Sequence, residues 1–459
     1  MVPAFSSSPW SRLLLGGLVV ALTACSAAPP PLPVLETLQT RADKTPVILI
    51  PGITGSVLQD RESGKILWGT GLRLLAPRDR GYSLALPITA ELRAETETGV
   101  EAPEALHTIG LLGLAKKPIY GPIFDLMEAN GYQIGDLAAP QPDDTFFAFP
   151  YDWRLDNTIT TARLAAALQR LRAVRGEADL KVHLICQSNG GHICRYLSKY
   201  GGASLEEAEA SASDPATPLP GVTIDKILLI GTANGGSLRI LRELNHGRRY
   251  LPPFGRWWAP ETLFTFPALF QDLPVYNPEP FLGADGEPFD ADLFNPDDWE
   301  KFGWAVYGEK ARKRLRKNRH PALFGTPELR RAYLERVLDR GRRFHQLLRR
   351  DVPGTAGIRY YLIQNNRAAT PDRALLLPPE DGGDWRTCFY GDPHAAGEPF
   401  LSQRTTAPGD GHATEASQLW LSASARRRII QPPVYVEGGH FELLLAPPSL
   451  EAILRFLAD

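Results

Sequence analysis

The chain runs to 459 residues, enough for one large α/β domain with insertions or for two ordinary domains. Apolar residues make up 43% and charged residues 22%, the proportions of a soluble globular protein, which argue against disorder and against a bundle of membrane spans. A formal net charge of −2 supplies no electrostatic reason to expect nucleic acid as a partner.

At the N-terminus Arg12 precedes an apolar run, Leu13 to Leu22, too short to span a bilayer and suited to a signal-peptide core. The run ends in Leu22-Thr23-Ala24-Cys25, which resembles the lipobox of bacterial lipoproteins. That resemblance implies a signal over residues 1–25, lipidation at Cys25, and an exported protein held at a membrane surface by its lipid, on the periplasmic face or at the cell surface. The plainer alternative is a cleaved signal that happens to hold a Cys. The Pro-rich stretch Ala28 to Pro33 reads as a stiff, extended spacer, within a linker drawn over 26–44. Beyond Cys25 remain Cys186, Cys194 and Cys388; an odd number cannot all pair internally, so no disulfide framework is expected.

Further along, short apolar runs at Pro46 to Ile50, Val182 to Cys186 and Ile227 to Ile230 each stop at a Gly-containing loop, as buried parallel strands do. Ile358 to Ile363 and Val434 to Val436 are two more strand candidates. Between them, Thr158 to Arg175 places Leu164, Leu168, Leu171 and Val174 on one helical face. Strands alternating with amphipathic helices predict an α/β fold with a mostly parallel sheet covered on both sides. Residues 59–115 lack this rhythm and read as an elaborated loop. Residues 238–350 carry an aromatic-rich stretch (Tyr250 to Phe270) and then a basic run (Lys310 to Arg319), and read as a cap inserted between the core parts 45–237 and 351–459.

The chemistry concentrates at Cys186-Gln187-Ser188-Asn189-Gly190, where a predicted strand runs into a predicted helix. A nucleophile elbow needs small residues two before and two after the Ser, because the turn is strained and the flanking elements crowd it. Cys186 stands where Gly is usual and keeps the steric requirement. Ser needs a base, and the base an orienting acid, in chain order Ser, Asp, His. His440, in Glu437-Gly438-Gly439-His440, lies after the last strand candidate and before a predicted C-terminal helix, where the base belongs; its bland reading is a loop cap. Asp410, in Pro408-Gly409-Asp410-Gly411, is the candidate acid, with Asp372 and Asp384 as rivals and a simple turn Asp as the bland alternative. The helix N-terminus directly after Ser188 offers backbone N–H groups to an oxyanion, and the Ile53 N–H, in the turn after the first strand, is a candidate second donor, with an ordinary Pro-Gly turn as its bland reading.

Several motifs then fall in one order: Pro46 to Leu58 (PVILIPGITGSVL), Pro118 to Pro122, Phe149-Pro150-Tyr151-Asp152-Trp153-Arg154, the elbow, Gly231 to Ser237, Gly409-Asp410-Gly411 and Gly438-Gly439-His440. In these the sequence resembles the lecithin:cholesterol acyltransferase family, in its bacterial branch, from about Thr45 to the C-terminus. The resemblance implies an α/β-hydrolase fold with a cap and a Ser188–Asp410–His440 triad. It also implies oxyanion donors at Ile53 and Asn189, and no metal or organic cofactor. The expected reaction is acyl transfer or hydrolysis on an acyl-lipid ester, with a small-ester esterase and an inactive hydrolase-fold binding protein as alternatives. Two departures stand out. Family members usually have Gly-His before the nucleophile, where this chain has Cys186-Gln187, and Thr-Val after Gly-Asp-Gly, where it has His412-Ala413.

Overall fold

Val47–Ile50 (β1) is four apolar residues, every one fully buried. A strand without a polar face must be covered on both sides, and each such side chain contributes about 1.5–3 kcal/mol on burial. The computed structural model supplies that cover. It describes residues 32–69, 79–89, 98–111, 115–211, 218–249, 257–317, 321–379, 383–392 and 401–459, so the signal and Cys25 lie outside the described residues. Among these, Ile134–Asp136 (β2), Phe146–Ala148 (β3), Leu180–Gln187 (β4), Val222–Ile230 (β5), Arg359–Gln364 (β6) and Val434–Tyr435 (β7) join β1 in one sheet. Its spatial order is β7-β6-β5-β4-β1-β3-β2, with every pair parallel. This is the α/β-hydrolase architecture expected from the sequence.

The helices begin and end where local chemistry directs. Asn157–Arg175 (α2), after Gly121–Ala129 (α1), starts at Asp156, whose carboxylate accepts the Thr158 N–H, and stops at Gly176 in the left-handed region. Leu164, Leu168 and Leu171 face inward as expected, while Val174 is exposed. Gly190–Tyr200 (α3) follows the elbow and is buried along its whole length. Leu238–His246 (α4) follows β5, Pro327–Arg349 (α5) precedes β6, and Pro447–Ala458 (α6) packs on β6 and β7.

Several expectations are corrected. The described residues of 59–115 hold regular pairing that a loop lacks: Leu58–Asp60, Ile66–Trp68 and Val100–Glu101 form a small antiparallel sheet, and Thr108–Leu111 pairs with Ala115–Pro118. Such short pieces carry too few residues to show a period. The chain divides into Met1–Pro33 and a unit from Val34 onward. Within the second unit Leu38 is buried and the Leu35 N–H bonds the Asn130 side chain, so the linker drawn to residue 44 reaches into the domain. Cys186 and Cys194 form a disulfide, and Cys388 is the remaining thiol among the described residues, buried. An odd count hid this bridge, because it is the strand-to-helix reversal that brings the two Cα atoms to 6.5 Å.

Between β5 and β6, α5 packs on α3. Arg195 and Lys199 of α3, both buried, donate to the carbonyl of Leu348, and Lys199 also reaches that of Arg350. Cations at the C-terminal end of α5 meet its orphan carbonyls there. Burial pulls the Lys199 ammonium down to about 7. Of the aromatic-rich stretch, Trp258, Phe264, Phe266 and Phe270 are interior, and Tyr250 and Phe254 lie outside the described residues. The basic run lies on the helix Glu309–Arg316, where Arg314 pairs with buried Glu261 and Arg312 with Asp384; Arg319 is outside the described residues.

Candidate active site

In a doubly wound sheet, ligands bind at the carboxyl ends of the strands where the winding reverses. Here the chain leaves β1 toward β2 and β3 on one side and returns at β4 on the other, so the crevice lies above β1 and β4. The turn Pro51-Gly52-Ile53 ends β1, and Ser188 ends β4.

Ser188 has φ +53°, a left-handed conformation that costs a side-chain-bearing residue on the order of 1–3 kcal/mol. The surroundings hold it there: its N–H bonds the Ile230 carbonyl at 2.9 Å, and its own carbonyl accepts the Gly191 N–H at 2.9 Å. A Cβ on Gly190 would come within 2.3 Å of the Ile50 carbonyl oxygen, so only glycine lets α3 start this close to β1. The Cys186–Cys194 bridge ties the last turn of β4 to the first turns of α3 from the side facing the core.

His440 reaches Ser188 from the loop after β7. Its Nδ1–H donates to Asp410 Oδ2 at 2.7 Å, and its Nε2 accepts from Ser188 Oγ at 2.9 Å. Asp410 is buried, and its other oxygen accepts the backbone N–H groups of His412 and Ala413 at 2.8 and 2.7 Å. Three groups therefore converge on this carboxylate's two oxygens in one orientation, which leaves its rivals outside. Asp372 receives the Tyr276 hydroxyl and the Asn277 amide, and Asp384 pairs with Arg312. Gly231, at φ +54°, allows the end of β5 to pass beneath the pair; a Cβ there would sit 3.2 Å from Asp410 Oδ2 and 3.3 Å from His440 Nδ1.

The backbone N–H groups of Ile53 and Asn189 make no hydrogen bond to another described residue, and the Gly52 turn lies against Ser188, 2.8 Å from its Cβ to where a Gly52 Cβ would stand. Beside His440 the ring of His412 stacks at 4.6 Å, with its Nε2 3.7 Å from Asp272. Burial holds His412 well below the ordinary histidine range and Asp272 well above the carboxylate range. A cavity of about 750 Å³ opens on the far side of the pair, lined by Asp410, His440, Phe441, Arg239 and Arg367.

The structure thus brings together Ser188, Asp410, His440 and the two backbone donors, while Cys25 lies outside the described residues. Sequence reasoning missed the buried hydrogen bonds that Tyr120 makes to Gly52 and Gln187, and the packing of His412. Tyr120 sits inside the Pro118 to Pro122 motif, which was the available signal; nothing local to His412 tells that its ring meets another.

No protein-family model matches the chain, and no curated protein sequence matches it. Among solved structures it is similar to a chain in the crystal structure of the Tle4–Tli4 complex, with 14% identity, 91% of this chain and 98% of that chain covered, and a TM-score of 0.56. It also aligns with Bacillus licheniformis lipase BlEst2 in mature form, at 12% identity over 91% of this chain and 93% of that chain; its TM-score of 0.28 is too low to carry an argument. At these identities the likeness concerns the fold, and the fold this chain carries is that of the α/β-hydrolases.

Proposed function

We propose that the chain is a serine-dependent enzyme that hydrolyses acyl-lipid esters or transfers their acyl group to an alcohol, through an acyl-Ser188 intermediate. The hydrogen-bonded line from Ser188 Oγ through His440 to buried Asp410 is the observation that carries this reading.

His440 Nε2 takes the Ser188 proton as Oγ attacks the ester carbonyl. The oxyanion forms beside the N–H groups of Ile53 and Asn189, whose hydrogen-bonding capacity no other described group uses. Asp410 keeps the imidazole in the tautomer that presents Nε2 and balances its charge. His440 then protonates the leaving alcohol, and the acyl group passes to water or to an acceptor alcohol such as a sterol. The lipid substrate class rests on the ordered motifs that resemble the lecithin:cholesterol acyltransferase family. Phe441, directly after His440 and 40% exposed at the cavity rim, is an apolar group open to an acyl chain. Residues 238–350 act as the cap, and lipidated Cys25 holds the exported enzyme at its substrate membrane. The Cys186–Cys194 disulfide fits an oxidising compartment. No helix among the described residues is long and apolar enough to cross a membrane, which leaves attachment in this reading to the lipid.

The test treats protein lacking residues 1–25 with a fluorophosphonate and locates the adduct by mass spectrometry. A phospholipid is then supplied with and without a sterol. Labelling at Ser188, lost in Ser188→Ala, with release or transfer of fatty acid, is the expected result. Turnover of short soluble esters alone would move the reading to a small-ester esterase. Folded protein that takes no label would mark a hydrolase-fold binding protein.

A further inference from the structure

The turn Pro51-Gly52-Ile53 is held from both neighbours of the nucleophile. On one side, the Gly52 N–H donates to the Tyr120 hydroxyl at 3.0 Å and to Gln187 Oε1 at 3.1 Å, and the Tyr120 hydroxyl donates to the same Gln187 oxygen at 2.8 Å. On the other, the Tyr151 hydroxyl donates to the Pro51 carbonyl at 2.8 Å and accepts from Asn189 Nδ2 at 3.2 Å. Asn189 is itself locked to Asn157, at the first position of α2, by two reciprocal amide bonds of 2.9 and 3.1 Å. All five side chains are buried.

This arrangement accounts for both glycines of Pro51-Gly52-Ile53-Thr54-Gly55. A Cβ on Gly52 would lie 2.5 Å from Gln187 Oε1, and one on Gly55 would lie 2.8 Å from the Tyr120 hydroxyl oxygen. The turn is open at these two points because two polar side chains from elsewhere in the chain enter there. Burial pushes the Tyr120 and Tyr151 hydroxyls above their ordinary range, so both stay protonated and able to donate. A turn without regular structure, aimed by buried hydrogen bonds on each side, meets the need of a preorganised donor.

We infer that Gln187 and Tyr120 are positioning residues that clamp the Gly52–Ile53 turn to the nucleophile elbow, so that the Ile53 N–H and the Asn189 N–H point at one oxyanion site. The inference rests on the acyl-Ser188 reading above and deepens it. Neither residue touches substrate; both act through the Gly52 N–H. Loss of either therefore moves a donor whose value is realised in the transition state, and substrate affinity is left alone.

The experiment measures kcat and KM for a p-nitrophenyl ester, and Ki for a trifluoromethyl ketone that forms an oxyanion on Ser188. The proteins are wild type, Tyr120→Phe, Gln187→Leu, the double variant, Ser188→Ala and Tyr200→Phe. Tyr200 lies in α3 and donates its buried hydroxyl to the Leu347 carbonyl, so it controls for the mere loss of a structural hydroxyl. Thermal unfolding checks that each protein is folded, and Tyr120→Phe, which keeps the ring, carries the test where Gln187→Leu does not fold. Expected are kcat values about tenfold to 10²-fold lower in Tyr120→Phe and Gln187→Leu, with KM within about twofold and Ki rising in step. The double variant falls short of the product of the single losses, because both residues share one target. Tyr200→Phe keeps wild-type kcat. A Tyr120→Phe enzyme with unchanged kcat, or with its loss confined to KM, would overturn the inference while Ser188→Ala stays inactive and the proposed function stands. Turnover surviving in Ser188→Ala would instead sink the proposed function, and this inference with it.

Discussion

The two flanks of Ser188 are built differently. On the flank of the Pro51–Ile53 turn, Gln187, Tyr120, Tyr151, Asn189 and Asn157 are buried and bonded to the turn or to one another. On the His440 flank, Asp410 is as firmly held, but the loop beyond it borders a cavity of about 750 Å³. Arg239 and Arg367 stand at its rim, and Phe441 is 40% exposed. The difference follows what each flank must do under the proposed mechanism. Negative charge develops on the turn side, where donors gain most by being fixed before the reaction. His440 acts through its two ring bonds, to Asp410 and to Ser188, so the loop beyond it can border open space without disturbing that line.

Substitutions on the two flanks separate these ideas, starting with the largest expected change. Asp410→Asn turns an acceptor toward a donor at His440 Nδ1 and selects the wrong tautomer. It is expected to lower kcat about 10³- to 10⁴-fold with the fold intact, read by ester turnover beside thermal unfolding. A loss below about tenfold would mean that Asp410 does not orient the base. Next come Tyr120→Phe and Gln187→Leu, at the intermediate losses given above. Arg239→Ala, on the open flank, removes a partly exposed pair with Glu243 and a bond to the Gly411 carbonyl. Its effect on kcat/KM is expected to stay below about fivefold, since partly exposed ion pairs contribute little. If Arg239→Ala cost more than Tyr120→Phe, the contrast between the flanks would collapse.

The last test concerns the support beneath the elbow and leaves activity at pH 7 unchanged in kind. His192, in α3, is buried against the Ala233 carbonyl, and burial holds its pKa at about 3. The unfolded chain takes up the proton near the ordinary pKa of about 6.5, so stability is lost as pH falls from there toward 3. The slope for one such group is about 1.4 kcal/mol per pH unit. Urea unfolding of His192→Gln between pH 6 and 4 is expected to be shallower in its pH dependence than wild type; an equal slope would show that His192 takes its proton in the folded state.

How much of this was legible depended on whether the information was contiguous. β1, and the passage from β4 through Ser188 into α3, could be read because one run of neighbouring residues contains strand, turn and helix. β2 and β3, at three residues each, are too short for any period to show, although they complete one edge of the sheet. The aromatic stretch was readable as apolar and as buried, but not the packing of Trp258 against Trp68 and Trp153, because that depends on which other element arrives.

The sequence by itself determined the order of the chemistry: a strained elbow at Ser188, a Gly-Asp-Gly turn at 410, a His after the last strand, and glycines at 52 and 55. These are residue types and spacings that can be read along the chain without knowing what packs against them. Only the tertiary structure decided that Asp410 and not Asp372 or Asp384 meets His440, that Cys186 pairs with Cys194, and that Tyr120 and Gln187 enter the gaps left by the two glycines. Each of those is a contact between elements set side by side by parallel strand order, and strand order comes from packing the whole sheet.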